Sequence, residues 1–212
     1  MTKQIRAFIL SSLFLIATSA TQAATVAVQS NFTGGVFGNF SLQYNSAAAG
    51  LQLQSLKFEL QAPLFTDPSF ASPGSLLPLP FLISSGSAAT GFLGATGINN
   101  GATSFELQFS DFDSGEMFDF NLDVDAPCGG FSCQFPASIT TGPEFAGTRI
   151  TGTFGGNGYQ TTDLSALFTS TGAFTAAAVM EGSVSPVPEP GTMSLLGASL
   201  LALAYRARRR RS

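Results

Sequence analysis

Phe118-Asp119-Phe120-Asn121-Leu122-Asp123-Val124-Asp125 alternates apolar and polar side chains for eight residues without a break. A β-strand points successive side chains to opposite faces, so this stretch offers one apolar face and one polar face. Phe105-Glu106-Leu107-Gln108-Phe109 repeats the pattern. Between the two runs, Asp111-Phe112-Asp113-Ser114-Gly115-Glu116 is rich in turn formers. The two runs are therefore expected to pair as a hairpin.

Further strands are expected at Thr25–Gln29, Phe40–Tyr44, Leu51–Leu60, Phe81–Ser84, Thr148–Phe154 and Phe174–Glu181. Within Leu51–Leu60 the apolar phase changes between Leu53 and Leu56, which predicts a bulge near Ser55. Pro63–Pro80 holds five prolines and reads as a long loop, and Gly34-Gly35-Val36-Phe37-Gly38 as a turn between strands. Thr162–Thr169 is read as a short helical patch. Many short strands without alternating helices point to an all-β fold, an antiparallel β-sandwich of jelly-roll-like type, followed by a C-terminal hydrophobic helix. Nineteen of the 21 phenylalanines fall between residues 25 and 184 and are the expected core.

The charge is unevenly spread. Of 212 residues only 10% are charged, and the formal charge is −4. Residues 25–184 hold just Lys57 and Arg149 against twelve acids. No row of cations exists there to neutralise phosphates, so nucleic acid is not an expected partner. Histidine is absent, which removes histidine bases and His-ligated zinc.

Both ends are basic and apolar. Lys3 and Arg6 precede the eleven-residue run Ala7–Ala17, and small residues follow to Ala24. As a helix the run spans only about 16 Å, half a membrane core, so residues 1–23 read as a secretory signal peptide cut after Ala23 or Ala20. At the other end, Ser185-Pro186-Val187-Pro188-Glu189-Pro190-Gly191 cannot be helix interior. A Leu/Ala-rich run follows to Tyr205, and then Arg206, Arg208, Arg209, Arg210 and Arg211. The run would be a short transmembrane helix whose arginines stay on the cytoplasmic side.

Val187-Pro188-Glu189-Pro190, the apolar helix and the terminal arginines together resemble the PEP-CTERM sorting signal of Gram-negative bacteria, many of which make exopolysaccharide. The resemblance covers residues 185–212. It implies the secretion translocon, signal peptidase, the inner membrane and a membrane-embedded exosortase as partners in turn. Processing at or near Pro188-Glu189-Pro190 would then release the protein or attach it at the cell surface or in the extracellular matrix, with exopolysaccharide as a partner there. Gly115-Glu116, Phe118-Asp119-Phe120, Asp123-Val124-Asp125 and Glu144-Phe145-Ala146-Gly147 more loosely resemble the central pattern of secreted proteins bearing this tail. That second resemblance supports the sandwich at residues 25–184 and adds no activity.

Three constellations remain. Cys128 and Cys133, the only cysteines, bracket Gly-Gly-Phe-Ser and are expected to form a disulfide after export, although free thiols are the other reading. Asp111, Asp113, Glu116, Asp119, Asp123 and Asp125 put six carboxylates in fifteen residues. Asp111, Asp113 and Glu116 could hold calcium; the alternative is a solvated polar face that blunts strand pairing. Carboxylates are the only abundant acid/base groups, no pair is singled out, and no G-x-S-x-G elbow is present, so the protein is not expected to be an enzyme. Sugar platforms favour Trp and Tyr, whereas residues 25–184 have no Trp and only Tyr44 and Tyr159. A structural surface or matrix role is the first expectation, and a carbohydrate-binding or calcium-stabilised adhesion module the second.

Overall fold

The alternating runs become strands whose apolar faces meet across two sheets. The structure is a computed structural model that describes residues 23–34, 38–66, 82–83, 85–99, 101–125, 140–156, 158–187 and 192–209. In chain order the strands are β1 (Ala24–Thr33), β2 (Gly38–Ser46), β3 (Leu51–Glu59), β4 (Phe65–Thr66), β5 (Leu82–Ile83), β6 (Phe92–Thr96), β7 (Ser104–Phe112), β8 (Met117–Leu122), β9 (Val124–Asp125), β10 (Arg149–Gly156), β11 (Tyr159–Leu167), β12 (Thr169–Ser170) and β13 (Thr175–Val184). One sheet runs β12-β13-β1-β2-β8-β5 and the other β11-β10-β3-β7-β6, while β4 and β9 pair separately. All pairings are antiparallel. The result is the expected β-sandwich, and the helix Thr192–Arg209 follows it.

Phenylalanine fills the space between the sheets. Phe40 of β2 lies parallel to Phe120 of β8, with ring centroids 4.5 Å apart, and meets Phe58 of β3 edge-on at 5.7 Å. Phe58 in turn stacks on Phe105 of β7 at 4.6 Å. These rings bridge both sheets in the offset and edge-to-face arrangements that aromatic quadrupoles favour. Phe32, Phe112, Phe118, Phe145, Phe154 and Phe168 are also fully buried.

The bulge expected near Ser55 is present. Thr153 and Phe154 of β10 face Ser55 and Leu53, so Gln54 is the extra residue, and inward phase passes from Leu51 and Leu53 to Leu56 and Phe58.

Two expectations are corrected. The runs on either side of Asp113–Glu116 do not pair as a hairpin: β7 pairs with β3 and β6, whereas β8 pairs with β2 and β5. The turn is an arch between sheets, held by bonds from Gly115 N–H to Tyr44 O (2.8 Å) and from Tyr44 N–H to Glu116 O (3.3 Å). An arch lets the apolar faces of both strands meet each other across the core, where a hairpin would leave them side by side. Thr162–Thr169 is not helical. It lies in β11 and the start of β12, where pairing with β10 from Leu167 to Tyr159 overrides the weak local preference.

A short helix, Gly142–Phe145, was not anticipated. Thr141 caps it, accepting from Glu144 N–H at 3.3 Å, while the Glu144 carboxylate accepts from Thr141 N–H at 2.8 Å. The cap sets Phe145 against Phe32, with centroids 4.0 Å apart.

Candidate functional site

The C-terminal tail leaves the sandwich at a corner built by β1, β13 and β11. β1 and β13 pair along their full length, so Ala24, the first residue of β1, lies opposite Val184, the last of β13. Both are buried. Beyond Val184 the chain swings to the start of β11, where Pro186 forms an isolated antiparallel bridge with Tyr159. Gln160 N–H donates to Ser185 O at 2.9 Å, and Val187 N–H donates to Gly158 O at 2.7 Å. The bonds flank the Tyr159–Pro186 pair, so the bridge asks no N–H of residue 186, and proline, which has none, fits there.

Of the residues assigned to sorting, Val187 is thus tied to the fold and half-exposed. Pro188, Glu189, Pro190, Arg210 and Arg211 lie outside the described residues, as do residues 1–22 of the signal segment. Arg206, Arg208 and Arg209 occupy the last turn of the helix Thr192–Arg209, where cations face the partial negative charge of the helix end. The expected membrane span is corrected: among the described residues no helix is long and apolar enough to cross a membrane. The reason is in the sequence, since the arginines fall inside the helix and shorten its apolar part.

The carboxylates do not assemble as a calcium site. Gln52 of β3 donates its amide to Asp111 (2.8 Å) and to Asp113 (3.0 Å), which brings those two together. Glu116 turns away and accepts from Asp113 N–H at 2.8 Å, closing the arch. Among the described residues no group of three or more acids or cysteines is placed to hold a metal ion. Instead the turn is bonded to the protein itself. Below it, burial pushes the Tyr44 phenol above its usual range, a shift that Ser46 opposes and the charge of Asp113 reinforces. Its hydroxyl donates to Leu51 O at 2.9 Å. Cys128 and Cys133 lie outside the described residues.

The two outer faces divide the surface chemistry. Lys57 of β3 meets Glu59 at 2.7 Å, and Arg149 of β10 approaches the same carboxylate at 3.9 Å. The Lys57 ammonium, by hydrogen bond and charge, holds Glu59 below the usual carboxylate range. On the other sheet, β1 and β2 place Gln29 opposite Gln43, Asn31 opposite Ser41 and Thr33 opposite Asn39, with no charge on either strand. An open groove of about 610 Å³ at the end of this face is lined by Thr25, Asn45, Ser46, Ser114 and Glu181 among others. Sequence reasoning did not find this face; the polar phase of Thr25, Gln29, Asn39 and Asn45 was the available signal.

The family model for the PEP-CTERM protein-sorting motif matches residues 186–211. The chain carries a PEP-CTERM sorting motif. This PEP-CTERM segment begins at the bridge residue Pro186 and runs through the helix, so body and motif share the clasp described above. The motif supports export and C-terminal processing by exosortase. No curated protein and no solved structure matches the chain.

Proposed function

We propose that the chain is an exported, non-catalytic component of the cell surface or extracellular matrix, delivered by its sorting tail and acting through the folded sandwich. The observation that carries this reading is the sorting motif at residues 186–211, which follows β13 directly. The body's chemistry agrees with it. Its interior is rich in aromatic side chains, and β1 and β2 turn a row of uncharged polar side chains outward, a surface suited to contact. Fractionation of cells making the full chain tests the proposal. A body lacking the terminal arginines should appear at the surface or in the medium, and should stay in the membrane when exosortase is deleted. Full-length chain held in the inner membrane despite exosortase overturns it.

A second reading is favoured by the uncharged face of β1 and β2. Carboxamides and hydroxyls in register can both donate to and accept from sugar hydroxyls, so that face suits a neutral stretch of exopolysaccharide. A glycan array probed with the purified chain separates the two readings.

A further inference from the structure

The clasp on Ser185–Val187 has a geometry that the sorting motif alone does not require. Every β13 residue up to Val184 is paired with β1; Ser185 is then bonded to Gln160 of β11 and Val187 to Gly158, just before that strand. The helix begins at Thr192. Only four residues, Pro188 to Gly191, lie between the bonded Val187 and the first residue of the helix. Four residues reach at most about 14 Å. The Gly158–Gln160 edge therefore sets where the chain leaves the sandwich, and the short link limits how far the helix can stand from it.

We propose that Gly158 and Gln160 are positioning residues for exosortase processing, holding Ser185–Val187 extended so that the sandwich edge presents the motif at one fixed spacing. A peptide already held extended loses less freedom when an enzyme binds it, and a fixed exit point limits which bond can be reached. The inference rests on the sorting motif and is independent of the surface or matrix role, which could fail while this stands.

The test follows the intact mass of the full chain over time in a bacterium that contains exosortase. Gln160→Pro removes the N–H that donates to Ser185 O and leaves the pairing with β10 in place. Gln160→Ala keeps that N–H and serves as the conservative control. A Gly-Ser insertion between Val187 and Pro188 keeps the clasp but lengthens the link, so it carries the test if Gln160→Pro fails to fold. Wild type and Gln160→Ala should give one processed terminus at the same rate. Gln160→Pro should be processed roughly fivefold more slowly, the size of one net hydrogen bond, or with ragged termini, and the insertion should be slowed or give a shifted or ragged terminus. Unchanged rate and terminus in both variants overturns the proposal, as does Gln160→Ala being slowed as much as Gln160→Pro. A wild-type chain that keeps its arginines overturns processing itself.

Discussion

Phe40→Ala is the sharpest probe of how this sandwich is held together. Phe40 is 2% exposed. It lies parallel to Phe120, meets Phe58, Phe105 and Phe145 edge-on at 5.7, 6.3 and 5.7 Å, and tilts against Phe32 at 5.1 Å. The ring therefore joins both sheets and the capped helix at Phe145, and neighbours fixed on separate strands cannot collapse into the space it leaves. Burial lost plus residual cavity puts the cost at about 3–5 kcal/mol. For a body of this size each kcal/mol lowers the melting temperature by roughly 2–4 °C, so the midpoint should fall by about 6–20 °C. Phe40→Leu retains most of the apolar burial but loses the ring contacts, and should fall between. Phe174→Ala is the control, since that ring is 51% exposed and its removal should cost no more than about 0.5 kcal/mol. Thermal melts followed by circular dichroism, with urea midpoints beside them, give all three values. A Phe40→Ala midpoint within error of Phe174→Ala would refute the aromatic bridge as the core of the fold.

Gly156 has φ +150°, and a Cβ there would run into Gly50 O. Gly156→Ala should cost at least about 2 kcal/mol, more than Gly101→Ala, whose φ is also positive (+82°) but whose Cβ would meet open space, and urea denaturation ranks the two. Lys57→Met should return the Glu59 pKa to the usual carboxylate range, read by NMR titration of the Glu59 side chain. The sign follows from the lowered folded pKa: the pair's small contribution is present above the unfolded value and fades as pH falls through the folded one, and salt should weaken it. Tyr44→Phe strands Leu51 O in the interior and should cost about 1–2 kcal/mol. Burial raises the Tyr44 pKa, so the unfolded phenol ionises first and stability drops as pH climbs past 10; absorbance titration should show one tyrosine ionising late.

What the sequence disclosed was mostly what a single strand can disclose. Alternation located β1, β2, β3, β7, β8, β10 and β13, and the phase change at Ser55 located the bulge, because both are properties of one chain segment. Partner choice is not such a property. Asp113–Glu116 looks like a hairpin turn from its residues, and only the bonds to Tyr44 make it an arch. β11 turns only Thr162, Leu164 and Ala166 inward in its second half, a weak apolar phase; lying at a sheet edge, it needs fewer apolar residues. The capped helix was legible, since Thr141-Gly142-Pro143-Glu144 fits the S/T-x-x-E capping box with proline in the first turn. The calcium reading counted carboxylates correctly but could not see Gln52, 59 residues from Asp111 in sequence, arriving to bond two of them. The clasp was hidden for the same reason: Pro-Val-Pro-Glu-Pro reads as a breaker, and its anchorage lies on β11.

The adjacency of Ala24 and Val184 bears on where the sorting motif leaves the body. First and last strands are antiparallel neighbours, so the chain enters and leaves the sandwich at one corner. Had β13 run parallel to β1, its end would lie a full ten-residue strand away, about 33 Å. β1 begins at Ala24, within four residues of the expected cleavage after Ala23 or Ala20, and the helix begins eight residues past Val184. An antiparallel pair of terminal strands thus sets the start of the sandwich and the approach to the sorting motif side by side at one edge. The buried ends of that pair also explain why the processing motif begins only after the sandwich has closed, at the first residues the core no longer needs.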